Sequence, residues 1–361
     1  MPATASHGPG PGPPAPTRDA PRILIVRPSA LGDVARSVPA LASLRQACPE
    51  ATIDWLVASP FVDIVAHHPM LDGVIPFDRK ALSGFGFRPG ATRAGLALAK
   101  KLRRARYDVV YDLQGLARSG LLTWLTRAPR RVGFAGAREG AALGYNIKHQ
   151  VPDSIHTVDR MLGLLTADGL TANKDMRLYT GPADQTWASD FINQHGLTPG
   201  RYVCLAPTAQ WGCKCWPAER YAALARRVID LGKAGEKIVV LAAPSEHPKL
   251  GALIEELGDN VLLPKTSVGQ LAALIQGSAL VVANDSAALH IAVGLDRPAV
   301  ALFGPTDPAR VGPYGRADDV IQPPGLSADD MQRYRKHKHD DSLIARIEVQ
   351  TVWDKVVSRL G

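Results

Sequence analysis

The chain is poor in aromatic residues, in cysteine and in long apolar runs, and each shortage removes a class of protein. Phe, Trp and Tyr make up 6% of the 361 residues and do not interleave with the basic ones. No stacking platform for single strands follows from such a pattern, and no nucleic-acid partner is expected. The four cysteines, Cys48, Cys204, Cys213 and Cys215, are too few for a disulfide framework in a chain of this length. "CKC" at 213–215 lacks the spacing of a zinc knuckle, so free thiols in a reducing cytoplasmic setting are expected. No window approaches the ~20 apolar residues of a membrane-spanning helix. The opening "MPATASHGPGPGPPAPTRDA" has no apolar signal-peptide core, and its Pro/Gly density reads as a disordered leader over residues 1–20. Common nucleotide fingerprints are missing as well. There is no G-x-x-x-x-G-K-[ST]. "GFGFRPG" (84–90) has neither the spacing nor the strand-to-helix setting of a dinucleotide loop, and reads as a mobile loop.

What is present is an alternating α/β rhythm, played twice. In the first half, short apolar runs bounded by turns predict strands at 22–27, 52–58, 73–77, 107–113 and 130–135. Helical patterns fall between them, notably 38–48 and 91–105. The second half repeats this, with strands at 202–207, 237–243, 260–263, 279–284 and 298–304. Tyr221, Leu224, Ala225, Val228 and Ile229 form a buried stripe on a helix over 217–231, opened by Pro217. Ser267 caps a further helix carrying Val268, Leu271, Leu274 and Ile275. Continuous apolar strands separated by helices specify a parallel sheet covered on both faces. The predicted fold class is α/β, with two doubly wound domains. The polar, turn-rich stretch 171–184 marks the hinge, giving an N-terminal domain over 21–175 and a C-terminal one over 176–330. Residues 331–361 are a charged segment, "RYRKHKHDD" at 333–341, followed by a helix. Ligands in such sheets bind beyond the carboxyl ends of the strands, and the default site is the cleft between two facing domains. The net charge of +8 suits phosphorylated substrates or an anionic membrane face.

Several strand ends carry polar residues with plausible chemistry. After the first strand, "PSALGD" places Asp33 directly behind a glycine at a helix N-terminus, where the carboxylate is kept ionised. It serves there either as a helix cap or as a general base, and Pro39 limits that helix to a short first turn. "PTAQWGCKCWP" (207–217) offers the Thr208 hydroxyl and the Lys214 ammonium to a diphosphate, unless both are plain surface groups. Trp211 and Trp216 pack that loop. "VVANDSAALH" (281–290) ends a strand at Asn284 or Asp285. Ser286 and His290 then share one helix face, placed for a phosphate leaving group, with Asp285 placed for sugar hydroxyls. "FGPTDP" (303–308) closes another strand with Thr306 and Asp307. Glu246 in "APSEHP" is either a ribose ligand or a helix cap.

Taken together, "ILIVRPSALGDVARSVPAL", "YDVVYDLQGLARSGLL", the "WP" and "ERYAALA" of 216–225, and "VVANDSAALHIAVGLDRPAVALFGPTDPARVGPYG" resemble glycosyltransferase family 9. These are the lipopolysaccharide heptosyltransferases, and the resemblance, from about residue 22 to 355, is closest to the heptosyltransferase I type. It implies a GT-B fold of two facing Rossmann-like domains, with the C-terminal helix packing back on the first. It also implies an ADP-L-glycero-D-manno-heptose donor and a Kdo-lipid A acceptor, an anionic glycolipid met at the cytoplasmic face of the inner membrane. The reaction implied is an inverting transfer that needs no metal or other cofactor. Asp33 falls at the family's proposed base, and Thr208, Lys214, Glu246, Asp285, Ser286 and His290 fall at donor positions. Arg118 and Arg138 become candidates for acceptor phosphate or Kdo carboxylate. The chain departs from the family pattern at Arg36, at Ala287 and at the two cysteines of "QWGCKCWP". Two other readings stand beside this one: transfer of another nucleotide-linked sugar to a different glycolipid, and sugar-nucleotide binding without catalysis.

Overall fold

The computed structural model describes residues 20–83, 86–232, 235–327, 329–331 and 338–361. The leader expected at 1–20, apart from Ala20, and the basic run at 333–337 lie outside them, as do the first two residues of "GFGFRPG". The chain divides into two compact units, Met1–Met176 and Arg177–Gly361.

The first unit holds six parallel strands: β1 Arg22–Val26, β2 Thr52–Ala58, β3 Gly73–Phe77, β4 Val109–Asp112, β5 Arg130–Phe134 and β6 Ile147–His149. Its helices are α1 Leu31–Ala35, α2 Val38–Ala47, α3 Pro89–Ala105, α4 Ala117–Leu125 and α5 Thr157–Ala167. The strand order is β3-β2-β1-β4-β5-β6. Leu24, Ile25 and Val26 of the central strand are wholly buried, which explains why "ILIV" shows no polar alternation. The short first turn expected before Pro39 is α1; the backbone then breaks at Arg36–Ser37 and restarts as α2. Pro89 and Gly90, read as part of a loop, instead begin α3, where a proline in the first turn removes no intrahelical hydrogen bond.

The second unit repeats the plan with β7 Val203–Ala206, β8 Ile238–Val240, β9 Val261–Leu262, β10 Leu280–Asn284, β11 Ala299–Leu302 and β12 Val320–Ile321. Its helices are α6 Pro182–Gln194, α7 Ala218–Asp230, α8 Gly251–Leu257, α9 Val268–Gly277, α10 Ala287–Gly294, α11 Pro308–Val311 and α12 Val349–Leu360. The order β12-β11-β10-β7-β8-β9 is the same topology as the first sheet. Ser267 caps α9 as expected: its hydroxyl accepts from the Gln270 N–H at 3.1 Å, and Gln270 Oε1 accepts from the Ser267 N–H at 2.9 Å.

The C-terminal helix was expected to pack on the first domain. Instead the buried stripe of α12, Val352 and Val356, lies in the apolar core of the second unit with residues of α7, β10 and β11. A stripe of this kind seeks the nearest uncovered face of a sheet, and here that face belongs to its own unit.

Each sheet reverses its winding once. The reversal falls between β1 and β4 in the first unit and between β7 and β10 in the second. Loops leaving two such strands diverge to opposite faces and leave a crevice at their carboxyl ends, the usual ligand position in open α/β sheets.

Candidate active site

Asp33 sits in the first turn of α1, just after β1, at the first unit's switch point. Its side chain is 29% exposed and lies between two guanidiniums that are each 8% exposed. Arg27 Nη2 is 3.0 Å from Oδ2, and Arg36 Nη2 is 2.5 Å from Oδ1. Oδ2 also accepts the Ala30 N–H at 3.4 Å, a long bond across the first turn of α1. Burial alone raises the carboxyl, but Arg27 and Arg36 outweigh it and hold its pKa at about 2. Asp33 is therefore ionised throughout the physiological range. Arg36, a departure from the family pattern, has its place as one of these two clamps. Arg27 carried no signal beyond lying at the end of an apolar strand; its Nη1 donates to Leu113 O at 2.6 Å, anchoring it to the end of β4.

The β4 side of the same crevice is built by "DLQG". Asp112 is wholly buried, and its Oδ1 accepts the Gln114 and Gly115 N–H groups at 2.8 and 3.1 Å. Oδ2 accepts the Tyr145 hydroxyl at 2.6 Å. Gly115 has φ +71°, a left-handed turn that favours glycine. Gln114 Oε1 in turn accepts the Ser29 N–H at 3.3 Å, so the β4 turn steadies the loop that leads into α1 and Asp33. Arg118, in the first turn of α4, and Arg138 are exposed, and neither has an ion-pair partner among the described residues. The Arg138 N–H donates to Gly115 O at 2.9 Å, which brings its loop onto the "DLQG" turn.

In the second unit, the residues singled out separately after β7, β8 and β10 pair with one another. Lys214 Nζ donates to Asp285 Oδ2 at 2.5 Å, and the Thr306 hydroxyl donates to the same oxygen at 2.8 Å. The Thr208 hydroxyl donates to Glu246 Oε2 at 3.0 Å, and that oxygen also accepts the Ala243 N–H at 2.9 Å. Glu246 thus has the cap contact, made through one of its two oxygens. Ser286 stands at the N-cap of α10 without capping it, and its buried Oγ has no hydrogen-bond partner among the described residues. The first N–H groups of a helix have no intrahelical acceptor, so this end of α10 offers unused donors beside a cationic side chain. A buried hydroxyl without a partner is uncommon in a folded protein and calls for an explanation. His290, one turn along, is 3% exposed. A cavity of about 310 Å³ opens nearby, lined among others by Thr208, Cys215, Trp216, Lys249 and His339.

Asn284 is the structural anchor that sequence reasoning left undecided. Wholly buried at the end of β10, it donates to Pro207 O at 2.7 Å and accepts from Trp216 N–H and Tyr221 OH at 3.2 and 3.1 Å. It therefore ties the loop bearing Thr208 and Lys214 to the strand bearing Asp285. Trp216 packs the loop as expected, buried with its indole N–H on Ile347 O at 2.9 Å. Trp211 also packs the loop, against Cys213 and Leu343, and its ring centre is 5.0 Å from the Lys214 ammonium and 4.8 Å from that of Lys338. All four cysteines are free thiols, and burial raises the thiols of Cys213 and Cys215, so both are protonated at neutral pH.

The fold is similar to that of the glycosyl transferase family 9 protein from Veillonella parvula DSM 2008. The TM-score is 0.81 at 22% identity, over 96% of this chain and 99% of that one. Two doubly wound parallel sheets of this kind define a protein of the GT-B fold, with polar clusters at both switch points. The family model for glycosyltransferase family 9 (heptosyltransferase) matches residues 95–339, and the chain belongs to that family. It is 31% identical over 308 residues to lipopolysaccharide heptosyltransferase 1 of Escherichia coli O18:K1:H7 (strain RS218 / NMEC), covering 84% of this chain and 92% of that one. It is also similar to the solved structure of E. coli heptosyltransferase WaaC with ADP-2-deoxy-2-fluoro heptose, at 29% identity and a TM-score of 0.68. That match covers 88% of this chain and 99% of the other.

Proposed function

We propose that the protein transfers L-glycero-D-manno-heptose from its ADP conjugate to a Kdo-lipid A type acceptor, with inversion and without a metal ion. The observation that carries this reading is the cluster at the end of β10: Lys214, Asp285, Thr306 and the unpartnered Ser286 hydroxyl around the start of α10. These groups suit a diphosphate whose charge grows as the sugar departs. Donors already in place stabilise that growing charge more than the ground state, because they need no reorganisation. Lys214 supplies the positive charge, shared with Asp285, and Ser286, His290 and the N–H groups of α10 supply neutral or polar contacts. Thr208 and Glu246 take the nucleoside side, Glu246 through the oxygen its cap contact leaves over. Support for the donor comes from membership of the family and from the relative solved with an ADP-linked heptose analogue.

Asp33 is assigned the proton from the attacking acceptor hydroxyl. A carboxylate held at about 2 is a weak base toward a free alcohol. The transfer therefore belongs late in the step, once the oxygen has begun to bond to an oxocarbenium-like carbon and its proton has become acidic. Arg118 and Arg138 are assigned to acceptor anions. No helix among the described residues is long and apolar enough to cross a membrane, so an acceptor at the cytoplasmic face of the inner membrane is met from outside the bilayer. Incubation with ADP-heptose and a panel of truncated lipid A acceptors, read by mass spectrometry, tests the reading. A heptose increment on a Kdo-bearing acceptor with stoichiometric ADP release is expected. Transfer only from another nucleotide sugar, or donor binding without transfer to any acceptor, would overturn it.

A further inference from the structure

One surface of the first unit runs from Arg118 along α3 and α4, and apart from that arginine it has no part in the proposed sugar transfer. A groove of about 610 Å³ runs between α3 and α4. Its floor is apolar, with Phe77, Leu98, Leu122 and Leu125. Two leucines on its edges face water, Leu96 at 60% exposure and Leu121 at 55%. On α3, Leu96, Lys100 and Arg103 follow at i, i+4 and i+7, so a leucine and two cations share one helix face beside the groove. Arg104 and Arg106 continue the basic rim.

The charged side chains that line this groove are of one sign: Lys100, Arg103, Arg104, Arg106 and Arg118, with no acidic residue among them. A solubilising face would mix signs, and a stacking groove for nucleic acid would carry aromatics where this one carries leucine. Trp124 of α4 is 38% exposed with the Arg127 guanidinium 4.2 Å from its ring centre, an amphipathic pair of the kind favoured at headgroup level. Exposed leucines, an apolar trough and a basic rim complement a surface that is anionic outside and apolar just beneath.

We propose that the α3–α4 face docks on an anionic phospholipid bilayer, its basic rim on the headgroups and Leu96, Leu121 and the groove in the apolar boundary. The proposal deepens the reading of a lipid-borne acceptor and rests on it for its purpose, while its test needs no acceptor. The full chain is sedimented with vesicles of phosphatidylcholine alone and of phosphatidylcholine mixed with phosphatidylglycerol. Binding to the mixed vesicles only, weakened by salt, is expected. Arg103→Gln with Arg104→Gln should lower the partition coefficient on the order of 20–30-fold, at the usual contribution of a basic residue near an anionic surface. Leu96→Ser with Leu121→Ser should lower it about tenfold or more. All four side chains are exposed, and unchanged thermal unfolding would verify that the fold is intact. Absence of binding, equal binding to both vesicle types, or wild-type partitioning of either double variant would overturn the proposal. Heptose transfer to an acyl-free, water-soluble acceptor is measured in parallel. It should be unchanged in both double variants, and its failure in the wild type would fall on the functional reading alone.

Discussion

Replacing Asp33 with Asn separates the proposed base from a purely structural carboxylate. In the native protein burial raises the Asp33 carboxyl, yet Arg27 and Arg36 bring its pKa to about 2, below the ordinary 3.8. At 1.36 kcal/mol per unit, the ionised side chain stabilises the fold by about 2 kcal/mol. Because the folded pKa lies below the unfolded one, that contribution is complete above about pH 4 and is lost as the pH falls through about 2. Asp33→Asn keeps the shape and one carbonyl acceptor, but leaves two mostly buried guanidiniums without their counter-charge. The variant should fold, with denaturant unfolding at neutral pH showing a loss of about 2 kcal/mol that narrows below about pH 4. An amide cannot take a proton, so turnover measured by ADP release should fall ~10²–10⁴-fold, while calorimetric ADP affinity stays at the wild-type value. Turnover within a few-fold of wild type would refute the base assignment. Arg36→Gln supplies the control. It removes one of the two clamps, so the Asp33 pKa climbs and the acidic limb of the kcat/KM profile moves to higher pH. If Asp33 merely held α1 and the arginines together, Arg36→Gln would cost as much turnover as Asp33→Asn.

Three further outcomes are expected in the second unit. Lys214→Ala should raise the donor KM and lower kcat together, roughly tenfold or more, since it removes leaving-group charge and leaves Asp285 uncompensated. Unchanged steady-state constants would dismiss that role. Ser286→Ala should leave apo stability within about 0.5 kcal/mol, because its hydroxyl has no partner to lose among the described residues, yet weaken ADP by about 0.5–1.5 kcal/mol in calorimetry. Equal ADP affinity would mean that the orphaned hydroxyl serves nothing on the donor. Asn284→Ala breaks three buried hydrogen bonds and should cost about 2–4 kcal/mol by denaturant unfolding, with donor binding lost in proportion. A neutral effect would show that the β7 loop holds its position without the amide.

Much of the scaffold was legible because strand and helix periods are local. "ILIV" reads as a buried parallel strand from its own residues, and the Ser267–Gln270 capping box is contained within one turn. The strands β6, of three residues, and β12, of two, escaped notice because pairing at a sheet edge, and not apolar content, makes them strands. Asp33, Lys214 and the Asp285–Ser286 pair were visible because a polar residue at the end of an apolar strand breaks a strong local pattern.

Their partners were not visible in the same way. That a carboxylate follows the first strand is written in "PSALGD"; that Arg27 and Arg36 both turn onto it depends on how β1, α1 and the end of β4 pack. Lys214 and Asp285 are 71 residues apart, and Thr208 and Glu246 are 38 apart. They meet because the winding order places β10 and β8 on either side of β7, which no local period encodes. The C-terminal helix is the same case in reverse, its apolar stripe plain at 349–360 and its destination set by which sheet face remained uncovered. The sequence by itself determined the elements and the chemical groups at their ends, since propensity and burial act within a few residues. Which groups meet, and therefore which carboxylate is clamped at a low pKa and which buried hydroxyl is left without a partner among the described residues, was decided only by the non-local packing of the folded sheets.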